Sequence, residues 1–112
     1  MPLLSLKTSL TSIPDQDVVH KELSSIISSI TNKPEKYIMI IIQNDLSMSF
    51  DSSNSPCCFV QIMSIGSLQS KKLSKHLCEY IETKLSIPSS RIYLSFKDVP
   101  ASEWGFNGST FG

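Results

Sequence analysis

The pattern of hydrophobic and polar positions predicts four strands. The segments are short, rich in β-branched or aromatic residues and bounded by turn-forming residues: LLSLKT (3–8), YIMIII (37–42), CCFVQIMSI (57–65) and RIYLSF (91–96). YIMIII is apolar at every position, which is typical of a strand covered on both faces. A weaker strand signal lies around Leu46 to Phe50, within the polar, turn-rich stretch QNDLSMSFDSSNSP.

Two helices are predicted between these strands, one in each half of the chain. The first begins at TSIPDQD, because Pro14 suits a first turn and Asp15 and Asp17 complement the positive end of the helix dipole. Asn32 can end it in a left-handed conformation. Its apolar positions recur at helical spacing and are Val18, Val19, Leu23, Ile26, Ile27 and Ile30. The second helix follows Gly66 and has its apolar residues four apart, at Leu73, Leu77, Ile81 and Leu85.

The elements follow the order β-α-β twice, which indicates an internal duplication. Pro2 and Pro56 each precede a strand and lie 54 residues apart (56−2), and Pro34 and Pro88 have the same separation (88−34). A chain of 112 residues has room for one domain, residues 1–112, with a single modest core. We therefore predict an α+β fold in which the duplicated unit forms a four-stranded sheet with both helices on one face.

The second face of that sheet has no element left to cover it. YIMIII is apolar on both faces, but the two helices can cover only one of them. A sheet face that exposes apolar side chains is unfavourable in water, so self-association is expected.

The charge balance and the cysteines exclude several classes of partner and cofactor. Basic and acidic residues number 10 each and form no basic patch, which argues against nucleic acid or an anionic membrane as a partner. No apolar run is long enough to span a bilayer and no signal peptide is evident, so a cytoplasmic location is expected. Three cysteines and two histidines without paired spacing predict neither disulfides nor a metal site.

A proline directly follows Met1, and this can be interpreted in two ways. Small second residues are common because Met1 is removed in front of them. Removal would also leave Pro2 with a free secondary amine that could act as a base. A terminal amine has a reference pKa of about 7.7–8.0, and an apolar pocket or a nearby cation lowers that pKa. Such an amine would be largely neutral near pH 7, where a base is most useful.

Six short motifs occur in order along the chain. They are Met1-Pro2, NKPEKYI (32–38), SPCC (55–58) followed by MSIG (63–66), RIY (91–93) and the ending NGSTFG (107–112). Together they resemble the macrophage migration inhibitory factor family, within the tautomerase superfamily built around an N-terminal proline. The resemblance implies a duplicated β-α-β fold, a homotrimer with an active site at each subunit boundary, and chemistry without a cofactor.

The resemblance also implies which residues form the site. Pro2 would be the general base, Lys33 would hold the carboxylate of the substrate, and the backbone N–H of Ile65 would donate a hydrogen bond to it. The aromatic wall would consist of Tyr37, Tyr93, Trp104, Phe106 and Phe111, with Tyr93 arriving from the neighbouring subunit. For any one of these aromatic residues, core packing is the alternative role.

The chain departs from the family at two places. Ser95 stands where the vertebrate cytokine has an asparagine, two residues beyond the matching tyrosine, which puts one substrate contact in doubt. The C-x-x-C motif of the family's thiol-oxidoreductase activity is missing, because Cys57-Cys58-Phe59-Val60 lacks the second cysteine. Adjacent cysteines do not reproduce that redox geometry, so no dithiol role is expected.

The resemblance therefore implies a cofactor-free keto–enol tautomerase of phenylpyruvate-like 2-oxo acids, with dopachrome-type carboxylates as further substrates. The alternative is a non-enzymatic, cytokine-like signalling protein that binds a receptor through its trimer surface. Leaderless secretion stays open beside the cytoplasmic location, because members of the family resemble leaderless exported proteins.

Overall fold

The computed structural model describes all residues from Met1 to Gly112. Its main elements are β1 (Leu3–Thr8), α1 (Gln16–Thr31), β2 (Met39–Gln43), β3 (Cys58–Ser64), α2 (Ser70–Leu85) and β4 (Ile92–Asp98). The sheet has the strand order β2-β1-β3-β4; β1 and β2 are parallel, as are β3 and β4, and β1 and β3 are antiparallel. This arrangement confirms the predicted α+β fold with a duplicated β-α-β unit.

The core lies between one face of the sheet and the two helices. Fully buried side chains from β1 and β3 pack there, including Leu4, Leu6, Val60 and Ile62. α1 contributes Val19, Leu23, Ile27 and Ile30, and α2 contributes all four of its predicted apolar residues. Val18 was wrongly included in the apolar stripe; it is 44% exposed because it lies about 100° around the helix from Val19.

The two halves of the chain repeat each other in backbone conformation as well as in element order. Residues 54 apart (69−15 and 86−32) adopt left-handed conformations before and after each helix, namely Asp15 and Gln69, and Asn32 and Ser86. Pro34 and Pro88 each lead into a 3₁₀ turn, at Glu35–Tyr37 and Ser89–Arg91. The 54-residue separation of the prolines in the sequence is therefore also the separation of structurally equivalent residues in the two halves.

The boundaries of some elements differ from those predicted. α1 begins at Gln16 because Asp15 is left-handed (φ 50°), so Pro14 lies ahead of the first turn. Asn32 does end the helix, with φ 59° and its N–H donating to the Ser28 carbonyl. The stretch from residue 46 to residue 50 is not a strand; only an isolated bridge forms there, between Phe50 and Ser53.

The second face of the sheet is open in the single chain. β2 begins at Met39 rather than at Tyr37, because Tyr37 belongs to the 3₁₀ turn. The side chains of β2 alternate between the two faces of the sheet. Met39 is 62% exposed and Ile41 is 39% exposed, and the same face carries Tyr93 at 65%. One copy of the chain therefore leaves this apolar face of YIMIII uncovered, as expected from the two helices that lie together on the other face; its cover by another copy stays a prediction.

A short C-terminal hairpin completes the fold, and the sequence analysis did not predict it. β5 (Gly105–Phe106) pairs with β6 (Ser109–Thr110) through a two-residue turn. Asn107 and Gly108 in that turn have φ values of 52° and 81°, the left-handed pair that a hairpin with a type I′ turn requires. Neither long helix has the length and apolar character needed to cross a membrane.

Candidate active site

A cleft of about 520 Å³ opens where the N-terminus meets the C-terminal hairpin. Ten of the 14 residues that line it are hydrophobic, and the volume is in the usual range for a small-molecule site of about 300–1,000 Å³. Five of the predicted site residues line the cleft: Pro2, Tyr37, Trp104, Phe106 and Phe111.

The start of β1 places Pro2 in this cleft. Pro2 is buried, and its carbonyl accepts a hydrogen bond of 3.0 Å from the N–H of Met39. Because β1 and β2 are parallel and Leu3 pairs with Met39, both strands begin at the same edge of the sheet. Met1 also lines the cleft, and burial, followed by the positive charge of Lys33, lowers the pKa of its α-amine.

Lys33 is held at the side of the cleft by the end of α1. The left-handed Asn32 turns the chain out of the helix, and the Ser28 hydroxyl donates to the Lys33 carbonyl at 2.7 Å. The half-buried Lys33 side chain then donates from Nζ to the carbonyl of Ile65 at 2.9 Å. Lys33 and Ile65 do not line the cleft itself; they lie together beside it, near enough for the ammonium to act on the terminal amine.

The turn after β3 holds Ile65 from both sides. The N–H of Gly66 donates to Asp98 Oδ1 at 2.9 Å, and the N–H of Val99 donates to the Ser64 carbonyl at 2.8 Å. Gly66 has a φ of +90°, which a residue with a side chain rarely adopts. Because the strand has ended at Ser64, the N–H of Ile65 donates no hydrogen bond to another backbone group. An N–H without an internal partner can donate to a bound oxygen.

The aromatic wall is assembled by the C-terminal hairpin. The rings of Tyr37 and Phe106 meet edge to face, with centroids 5.9 Å apart and an interplanar angle of 86°. Phe106 stacks on Phe111 at 5.6 Å and 11°. The N–H of Phe111 donates to the carbonyl of Trp104 at 3.2 Å, so a hydrogen bond joins the residues that flank the two hairpin strands. Aromatic pairs in these geometries are favourable beyond the area that they bury.

Tyr93 and Ser95 lie away from the cleft, on the open face of the sheet. They are two residues apart in β4 and therefore point to the same face, and Ser95 is in register with Gln61 of the neighbouring strand. Tyr93 packs edge to face against Phe50, with centroids 4.7 Å apart, and does not touch the cleft of its own chain. Within one copy of the chain, these two residues are therefore not brought together with Pro2.

Several cleft residues were missed by the sequence analysis. Met39 and Met63 line the cleft from the open face, because their strands flank Leu3 in register. The sequence shows that side chains alternate between the two faces along each strand. It does not show the register between strands, which puts Met39 and Met63 beside Pro2. Lys36 and Glu103 are the charged residues of the lining, and the Lys36 ammonium lies 4.9 Å from the ring centroid of Tyr37.

The cysteines lie outside the cleft, and Cys58 is poorly suited to thiol chemistry. Burial, with smaller contributions from Cys57 and Cys78, raises the pKa of Cys58 to about 12. The thiolate is the reactive form, so a thiol held protonated in this way is unreactive near neutral pH. No three histidine, cysteine, aspartate or glutamate side chains gather as a metal site.

Comparison with known proteins gives one consistent result. The family profile of Macrophage migration inhibitory factor (MIF) matches residues 1–112. The Macrophage migration inhibitory factor of Xenopus tropicalis is 36% identical over 114 residues, and that of Mus musculus is 32% identical over 114, each alignment covering 99% of both chains.

The crystal structure of a homologue from Prochlorococcus marinus has a TM-score of 0.94 and 40% identity, and covers 98% of this chain and 99% of that one. The structure from Trichinella spiralis has a TM-score of 0.90 and 30% identity, and covers 97% and 99%. The chain belongs to the macrophage migration inhibitory factor family.

Proposed function

We propose that the protein is a cofactor-independent keto–enol tautomerase of phenylpyruvate-like 2-oxo acids, with dopachrome-type carboxylates as further substrates. Family membership supports a tautomerase or cytokine-like function in general. The observation that carries the proposal is the position of the terminal amine. In the chain that still carries Met1, the Met1 α-amine lies in an apolar cleft, where burial and then the Lys33 cation lower its pKa; the Pro2 amine that removal of Met1 exposes lines the same cleft.

The proposed base is the secondary amine of Pro2 after Met1 has been removed. Its neutral form takes a proton from the carbon next to the ketone while the electron pair moves to the carbonyl oxygen. The resulting ammonium returns a proton to that oxygen, which gives the enol and regenerates the base. Positioned acid–base catalysis of this kind contributes about 10²–10⁴-fold.

The groups around Pro2 suit a 2-oxo acid with an aromatic ring. Lys33 holds the carboxylate, and the unpartnered N–H of Ile65 donates to the oxygen on which negative charge develops. Tyr37, Phe106 and Phe111 form the wall against which the ring packs, and Trp104 lies at its base.

We further propose that the active form is a homotrimer, in which a neighbouring copy brings Tyr93 and Ser95 to the cleft. The support is the open face, where Met39, Ile41 and Tyr93 are exposed with nothing in the chain to cover them. A monomer would leave this apolar surface in water.

The decisive experiment compares chains with a free and a blocked N-terminus. The intact mass should equal the sequence without Met1. Pro2→Ala, or an N-terminal extension that is not removed, should lower kcat/KM for phenylpyruvate by roughly 10²–10⁴-fold. Pro56→Ala is the matched control, because Pro56 precedes a strand at the equivalent place in the second half and should keep full activity.

An active protein that retains Met1 would rule out Pro2 as the base. A trimer that binds phenylpyruvate but does not convert it would instead favour the cytokine-like alternative, in which the cleft is inherited and a receptor binds the trimer surface.

A further inference from the structure

Arg91 anchors the loop that connects β2 to β3. Its guanidinium donates to four backbone carbonyls of that loop: Phe50 at 2.9 Å, Ser53 at 3.2 Å, Ser55 at 2.9 Å and Pro56 at 3.0 Å. All three of its nitrogens are used, and no carboxylate shares the guanidinium. A side chain of this kind holds a loop in place through several charge-assisted bonds at once.

The anchored loop presents one aromatic ring, that of Phe50. Phe50 and Ser53 exchange backbone hydrogen bonds of 2.9 and 3.1 Å around a tight turn. Asp51 and Ser52 in that turn both have positive φ, 53° and 54°, a conformation that is unfavourable for residues with side chains. The bonds from Arg91 to both ends of the turn, at the carbonyls of Phe50 and Ser53, offset that cost.

Phe50 lies between Arg91 and Tyr93. The guanidinium carbon of Arg91 is 5.5 Å from the Phe50 ring centroid, and the Phe50 ring packs edge to face on Tyr93 at 4.7 Å. Tyr93 is otherwise 65% exposed. Within the chain, the Tyr93 ring therefore has its aromatic contact with a loop that Arg91 holds.

The internal repeat shows how the two halves differ at this position. Arg91 is the counterpart of Tyr37 at the 54-residue offset (91−37), and Pro56 is the counterpart of Pro2. In the first half, Tyr37 lines a cleft beside Pro2. In the second half, Arg91 reaches the Pro56 carbonyl and ties the loop down at the equivalent place.

We propose that Arg91 is a positioning residue for the ring-binding part of the site: it fixes Phe50, and through Phe50 the Tyr93 ring that each subunit contributes to its neighbour's cleft. This role rests on the proposed trimeric tautomerase. Arg91 would then contribute to the selectivity for ring-bearing substrates although its side chain touches no substrate. Loss of Arg91 should leave the base and the carboxylate contacts intact and loosen the aromatic wall.

The test compares phenylpyruvate with 2-oxohexanoate, a 2-oxo acid without a ring, in wild type, Arg91→Lys, Arg91→Met and Phe50→Leu. Binding is followed by quenching of Trp104, which is the single tryptophan and lines the cleft. Arg91→Met and Phe50→Leu should weaken phenylpyruvate binding roughly three- to tenfold, the worth of one ordered aromatic contact, and raise its KM by a similar factor. Binding and kcat for 2-oxohexanoate should be unchanged, and Arg91→Lys should give a smaller effect.

Asn44→Ala is the matched control. Asn44 anchors the start of the same loop, through Nδ2 to the Thr11 carbonyl at 2.8 Å, and this hydrogen bond involves neither Phe50 nor Tyr93. It should leave the ratio of the two substrates unchanged. In a Tyr93→Leu background, Arg91→Met should cause no further change in that ratio.

Equal losses for both substrates in Arg91→Met and Phe50→Leu, or a ratio equal to wild type in folded trimers, would overturn the positioning role. The proposed function fails separately if phenylpyruvate quenches the Trp104 fluorescence of the wild type but is not converted. The effect of Arg91→Met on that quenching would still decide the role of Arg91.

Discussion

Lys33 is the residue whose charge should tune the proposed base. The neutral amine is the active form, so kcat/KM should rise as pH increases through the amine pKa and then level off. Burial and Lys33 both lower the pKa of the Met1 amine, and we expect them to act in the same way on the Pro2 amine, so the midpoint should lie below the ordinary value of about 7.7–8.0 for a chain-terminal amine. Lys33→Ala removes the cation and should move the midpoint to higher pH, whereas Lys33→Arg should keep it.

The pH–rate profile of kcat/KM, measured on protein of verified mass without Met1, checks this expectation. A midpoint in Lys33→Ala equal to that of wild type would show that the cation does not act on the base. Lys33→Ala should also weaken recognition of carboxylate substrates more than recognition of an uncharged ester.

Ser95 should determine how the site treats a para-hydroxyl on the ring. The family resemblance implies that an asparagine at this position reaches that hydroxyl from the adjacent subunit; serine is shorter, so the contact would be lost or bridged by water. We expect kcat/KM for phenylpyruvate to be at least as high as for its para-hydroxy analogue. Ser95→Asn should shift the preference toward the hydroxylated substrate by about 1 kcal/mol, the net worth of one hydrogen bond. Ser95→Ala is the control, and a Ser95→Asn trimer with the wild-type ratio would exclude Ser95 from the ring pocket.

At the scale of elements, the C-terminal hairpin should determine the position of the aromatic wall but contribute little to the stability of the core. Gly108 has a φ of +81°, and space is open where a Cβ would be added. Gly108→Ala therefore costs backbone strain of about 1–2 kcal/mol rather than a clash. We expect the hairpin to loosen and KM for phenylpyruvate to rise, while the main thermal transition changes little because β5 and β6 contribute no residue to the buried core.

Steady-state kinetics and the emission maximum of Trp104 measure this effect. Asn107→Gly is the control, because glycine tolerates the same left-handed position. An unchanged KM in a Gly108→Ala protein would mean that the hairpin does not shape the ring site.

At the scale of the whole molecule, the open sheet face should drive assembly. Sedimentation at micromolar concentration should give the mass of a trimer. Ile41→Lys places a charge on that face and should yield monomers with retained helical circular dichroism, because Ile41 is outside the core. Val18→Lys, at a similarly exposed apolar position on α1, should leave the trimer intact. A well-folded monomeric wild type would contradict both the trimer and the shared site.

Features that depend on neighbouring residues in the chain could be predicted from the sequence. β1 was predicted with its observed bounds, and the buried stripe of α2 was predicted completely, because alternation and helical spacing are local signals. The left-handed end of α1 at Asn32 is local as well. The hairpin at Asn107-Gly108 was also readable, since this dipeptide is a strong hairpin signal, but its strands of two residues are too short to show alternation.

Features that depend on residues far apart in the chain were decided by the tertiary structure. The register of β1 against β2 and β3 puts Met39 and Met63 beside Pro2, and no spacing in the sequence specifies a register. The bond from Lys33 to Ile65 and the bonds from Arg91 to the loop at Phe50 span 32 and 41 residues. The sequence by itself determined the secondary structure, the duplication and the residue types available for chemistry, because these follow from local periodicity. Only the packing of the sheet determined which of those residues meet at the cleft and which face the open side, because one short strand can be placed in several registers until its neighbours are in position.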